Sequence, residues 1–72
     1  MNTKENLYLE LAFELQKKFD ASNTPLATQI LLMKRLKCQI ELLFTILPVS
    51  SCIFTCLFDP KENEIVVTHI QF

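Results

Sequence analysis

Apolar residues recur every fourth position near the start of the chain. Leu7, Leu11, Leu15 and Phe19 form one line, with Tyr8 and Ala12 beside it. That spacing is the signature of a helix, and residues 3–20 read as one. Asn2, followed three residues later by Glu5, reads as a capping box. Leu9 and Phe13 widen the apolar arc beyond one stripe, which predicts a helix packed on more than one neighbour. Glu10, Glu14, Lys17 and Asn6 take the opposite side.

Residues 20–24 break the period and read as a connection. Pro25 then suits the first turn of a second helix, with Asn23 or Thr24 as its cap. Residues 25–47 continue it. Met33, Leu36, Ile40, Leu43 and Leu47 alternate in spacings of three and four, the seam of a helical bundle or short coiled coil. Leu31, Cys38, Leu42 and Ile46 lie toward another side. Pro48 is expected to end the helix, because the residue before a proline avoids the α region.

After a short connection at 49–51, residues 52–58 are β-branched, aromatic and apolar, and read as a strand. Asp59-Pro60-Lys61-Glu62-Asn63 reads as a hairpin loop, with Asp opening the turn and Pro presetting φ. Residues 64–72 return as the second strand, with Ile65, Val67, His69 and Gln71 on one face. The expected fold is α+β, a single small domain over residues 1–72 in the order α-α-β-β.

A two-stranded hairpin is marginal in water and has two open edges. One face can rest on the helices, while the other still carries apolar residues. Completion by dimerisation or by a partner's strand is therefore expected. The same expectation follows from size. A chain of 72 residues buries too little surface for a comfortable core.

Composition narrows the chemistry. The chain has no glycine, where ordinary usage would give about five. Glycine-rich phosphate cradles and dinucleotide fingerprints are thereby excluded, since they need backbone positions only glycine fits. Turns with positive φ must use Asn or Asp, with Asn23 and Asn63 the candidates. Net charge is −1, which fits neither a strongly basic nucleic-acid domain nor an acidic tail.

Three cysteines, an odd number, and a polar N-terminus unlike a signal peptide or lipidation site favour a reducing cytoplasm. Cys52 and Cys56 lie four apart on a strand, about 13 Å along it, too far to share a metal or a disulfide. They read as core residues. Cys38, beside Lys34 and Lys37, reads as an interface residue or an activated thiol. His69 with a cysteine across the hairpin is the one conceivable nucleophilic pair. It lacks any evident pocket or oxyanion donors. Asp59, Glu62 and Glu64 read as a solvated hairpin tip rather than a calcium loop. Charges in the middle of the second helix argue against a membrane span.

The expected function is that of a non-enzymatic protein-interaction module, a homodimer that binds and regulates a larger protein and takes no cofactor. Its expected interface is Met33, Leu36, Ile40, Leu43 and Leu47 on the helix, with Ile65, Val67 and Ile70 on the strand. The alternative is a small DNA-associated or antitoxin-like regulator. That protein would contact phosphates through Lys34, Arg35 and Lys37, doubled in a dimer.

Overall fold

A computed structural model describes residues 4–47 and 52–71. Helix α1 runs Lys4–Ser22 and α2 runs Leu26–Ile46, followed by strands β1, Cys52–Asp59, and β2, Glu64–Gln71. This is the α+β order expected from the sequence. The expected cap at Asn2, the stop at Pro48, the connection at 49–51 and the strand end at Phe72 lie outside the described residues.

Helix α1 continues two residues past its expected end, and Asn23 stops it. Asn23 has φ 54°, the left-handed conformation that Asn tolerates better than most residues. That turn aims the Thr24 N–H back at the Phe19 carbonyl, 3.1 Å away, and the Asn23 N–H at the Asp20 carbonyl, 3.4 Å away. These are the paired bonds of a Schellman motif, with Asn in the place glycine usually takes. Ser22 Oγ donates to the Lys18 carbonyl at 2.8 Å.

This stop uses both residues expected to cap α2. Pro25 is itself the N-cap, with ψ 147°, and no side chain caps the helix. Thr24 is buried in the corner. Gln29 ties the start of the helix to the corner. Its N–H donates to the Pro25 carbonyl at 3.0 Å, and its Nε2 donates to the Thr24 carbonyl at 2.9 Å. At the other end, Leu47 is extended, with φ −124° and ψ 147°, as a residue preceding proline must be.

The strands pair antiparallel, from Cys52 opposite Gln71 to Asp59 opposite Glu64. Asn63 closes the loop with φ 51°. Asp59 Oδ1 accepts the N–H groups of Lys61, at 2.9 Å, and Glu62, at 3.4 Å. The turn is thus held by its first side chain as well as by Pro60.

Helix α1 packs on α2 and on β1, while α2 packs on β2. The core lies between the helix pair and one face of the hairpin. Leu7, Leu11, Leu15 and Phe19 of α1 meet Leu32, Leu36 and Ile40 of α2 over Cys56, Ile65 and Val67. Phe19 is fully buried and meets Phe58 edge-on, with ring centroids 5.2 Å apart. Such an edge-to-face contact matches the quadrupoles of the two rings.

Candidate interaction surface

Side chains from the helices reach both edges of the hairpin. On the β2 edge, Gln39 Nε2 donates to the Ile65 carbonyl at 3.0 Å, and Gln39 Oε1 accepts the Val67 N–H at 2.7 Å. One amide side chain thus makes the two bonds that a neighbouring strand would make. On the β1 edge, Lys18 Nζ donates to the Cys56 carbonyl at 2.6 Å. Both contacts occupy the half of the sheet nearer the loop.

The residues expected at an interface fall differently. Leu36 is fully buried and Ile40 is 2% exposed. Ile65 and Val67 are buried beneath the helices. Met33 and Leu43 pack partly against the same core, and Leu47 is half-buried. The three-four seam of α2 faces the chain's own α1 and sheet, so Leu36, Ile40, Ile65 and Val67 offer no surface to a partner. Of the expected set, Ile70 alone is strongly exposed, at 66%.

Among the described residues, eleven large apolar side chains, Ile70 included, stand exposed in three places. The first place is the outer face of the hairpin, where Ile53, Leu57, Val66 and Ile70 point away from the helices. The second is the side of the helix pair away from the sheet. Leu9, Leu26 and Ile30 edge two adjoining grooves there, of about 570 and 340 Å³, which share Tyr8 and Lys37. Phe13, one turn beyond Leu9, lies under the Lys17 ammonium at 4.6 Å. Helix α1 has the two neighbours its wide apolar arc predicts, α2 and β1, yet Leu9 and Phe13 lie beyond both and stay exposed. The third is the flank of α2, with Leu31, Leu42 and Ile46.

Lys34, Arg35 and Lys37 are all exposed. Lys34 and Lys37 line the smaller groove beside Leu26, Ile30 and Met33, and no acidic residue lines that stretch. Arg35 does not line it. The triad is thus split, with two lysines beside an apolar floor.

Cys52 and Cys56 are buried on the inner face and Cys38 is exposed, with none of them in a disulfide. Burial pushes the Cys56 thiol above its ordinary range, opposed by the nearby Lys18 ammonium and assisted by Glu14. Its Sγ points to the Leu57 carbonyl at 3.9 Å. His69 is exposed and lies opposite Phe54, with ring centroids 6.1 Å apart. No group of three or more His, Cys, Asp or Glu residues able to hold a metal occurs among the described residues. No helix there is long and apolar enough to cross a membrane.

The arrangement defines a two-helix, one-hairpin α+β protein whose apolar surplus lies on its outer faces. Compared with protein families, curated proteins and solved structures, the chain matches none.

Proposed function

We propose that this chain is a non-enzymatic protein-interaction module, acting as a homodimer in a reducing compartment such as the cytoplasm, where it binds and regulates a larger protein. The observation that carries this reading is the grouping of exposed apolar side chains. Scattered surface hydrophobes are ordinary, whereas contiguous patches mark contact sites. Leu26, Ile30 and Met33 beside Lys34 and Lys37 fit an amphipathic segment with an apolar stripe and acidic flanks. The apolar floor supplies buried area and the lysines favour an acidic rim.

The test is a photo-crosslinking residue placed at Ile30, compared with the same residue at Glu62 on the hairpin tip. A defined larger protein attached from Ile30 alone is expected. Reconstituted from pure components, that complex should weaken on Ile30→Lys and with added salt. No adduct from Ile30, together with a salt-dependent shift of duplex DNA lost on replacing Lys34, Arg35 and Lys37 by Ala, would replace this reading with a nucleic-acid one.

A further inference from the structure

The outer face of the hairpin has an ordered pattern. Its cross-strand pairs, from the open end to the loop, are Ile53 with Ile70, Thr55 with Thr68, and Leu57 with Val66. Apolar, hydroxyl and apolar rows follow one another, so the pattern reads the same in both directions. The four apolar side chains are 50–66% exposed. The next pair, Asp59 with Glu64, places two acids at the loop end only.

We propose that this face packs on the same face of a second copy of the chain, about a twofold axis running across the strands at the level of Thr55 and Thr68. The proposal rests on reading the chain as a homodimeric module and assigns the surface the dimer uses. That axis lays β1 on β1 and β2 on β2 with directions reversed. Ile53 of one copy then meets Leu57 of the other, and Ile70 meets Val66. Threonines meet threonines at the axis, and a hydroxyl, being both donor and acceptor, can pair with its own copy. The acidic loop ends fall at opposite extremes. The alternative axis, along the strands, would bring all four acids together.

Edge-to-edge pairing is disfavoured by Gln39 on β2 and Lys18 on β1, which already hold backbone groups that an added strand would need. Size sets the strength. Two eight-residue strands make a face about 26 Å long and about 10 Å wide. Two such faces bury roughly 600–1,000 Å² in all, the range of weak, concentration-dependent assemblies. A dimer that grows in between micromolar and millimolar protein is therefore expected.

The experiment has two readouts on the whole chain. Sedimentation equilibrium follows mass across that concentration range. An isotope-filtered NOE experiment, on a mixture of labelled and unlabelled protein, looks for contacts between Ile53 and Leu57 methyls of different copies. Four residues apart on one strand, these side chains are about 13 Å apart within a copy, so such a contact reports the dimer directly. Leu57→Lys and Val66→Lys, both at exposed positions, should each weaken association by about tenfold or more with an unchanged far-UV spectrum.

A monomer throughout overturns the proposal. So does a dimer without Ile53–Leu57 contacts, or one that both lysine variants leave intact. A monomer also removes the homodimer from the functional reading, whereas the other two results keep a dimer on a different surface; in all three the Ile30 crosslink is judged by itself. Loss of that crosslink with the dimer intact would remove the larger partner and keep the face.

Discussion

Gln39 holds Val67 in place: the side-chain oxygen accepts the Val67 N–H at 2.7 Å, while the same amide donates to the Ile65 carbonyl at 3.0 Å. Helix and strand are joined by a side chain that imitates a strand. Gln39→Ala removes both bonds and leaves a partly buried backbone donor and acceptor without that partner. The expected loss is about 1–3 kcal/mol. Urea unfolding checks the magnitude, and faster amide exchange at Val67 checks the location.

Asn23 and Asn63 both hold left-handed backbone, at φ 54° and 51°. Ala at either position meets the steric penalty of that region, about 1–2 kcal/mol, whereas Gly meets none. Asn23→Ala and Asn63→Ala should each lower stability by about 1 kcal/mol, and the glycine variants should be close to neutral. Thermal unfolding of the four variants separates this backbone effect from any role of the Asn side chains, because Gly lacks the side chain as well.

Phe19 is fully buried and Phe13 is 65% exposed, though both lie on α1. Replacing a buried Phe by Ala costs about 3–5 kcal/mol. A chain of this length has about 4–11 kcal/mol to lose. Phe19→Ala should therefore lower the melting midpoint by about 12 °C or more, while Phe13→Ala should stay within about 0.5 kcal/mol of the parent. Circular dichroism melts distinguish the two.

The thiols should differ in reactivity. Cys38 is exposed, while Cys52 and Cys56 are buried, so iodoacetamide should label Cys38 first and the other two only as the protein opens. Mass spectrometry of a time course reads the order.

The raised Cys56 thiol also has a pH signature. In the unfolded chain the thiol ionises near its ordinary pKa, about 8.5, whereas in the folded chain it holds its proton to higher pH. The unfolded state then binds fewer protons, so stability is full below that ordinary value and falls as pH rises through it toward the folded pKa. Cys56→Ala should flatten this alkaline decline, even though its stability at neutral pH is lower. Urea midpoints from pH 7 to pH 10 measure both.

Most of the fold was legible in the sequence because it rests on local physics. Four-residue spacing in α1, the proline bounding α2, β-branched runs in the strands and an Asp-Pro turn each act within a few residues. Even the two left-handed turns were legible, since a chain without glycine has few residues that suit them. The corner between the helices was less so. Asn23 and Thr24 served equally well as caps for α2 or as the stop of α1, and the second use prevailed because Thr24 N–H found the Phe19 carbonyl.

The sequence by itself determined which residues share a face, since that follows from a period of 3.6 or 2. Tertiary structure decided what covers each face. Leu36 and Ile40 carry a bundle seam, and a period is the same whether the opposing surface is another chain or this chain's own α1. Leu9 and Phe13 extend an apolar arc, and only packing left them outside. Gln39 and Lys18 read as ordinary polar helix positions because their partners lie 26 to 38 residues away in the chain. Contacts between distant segments depend on how whole elements pack, and no local pattern encodes that.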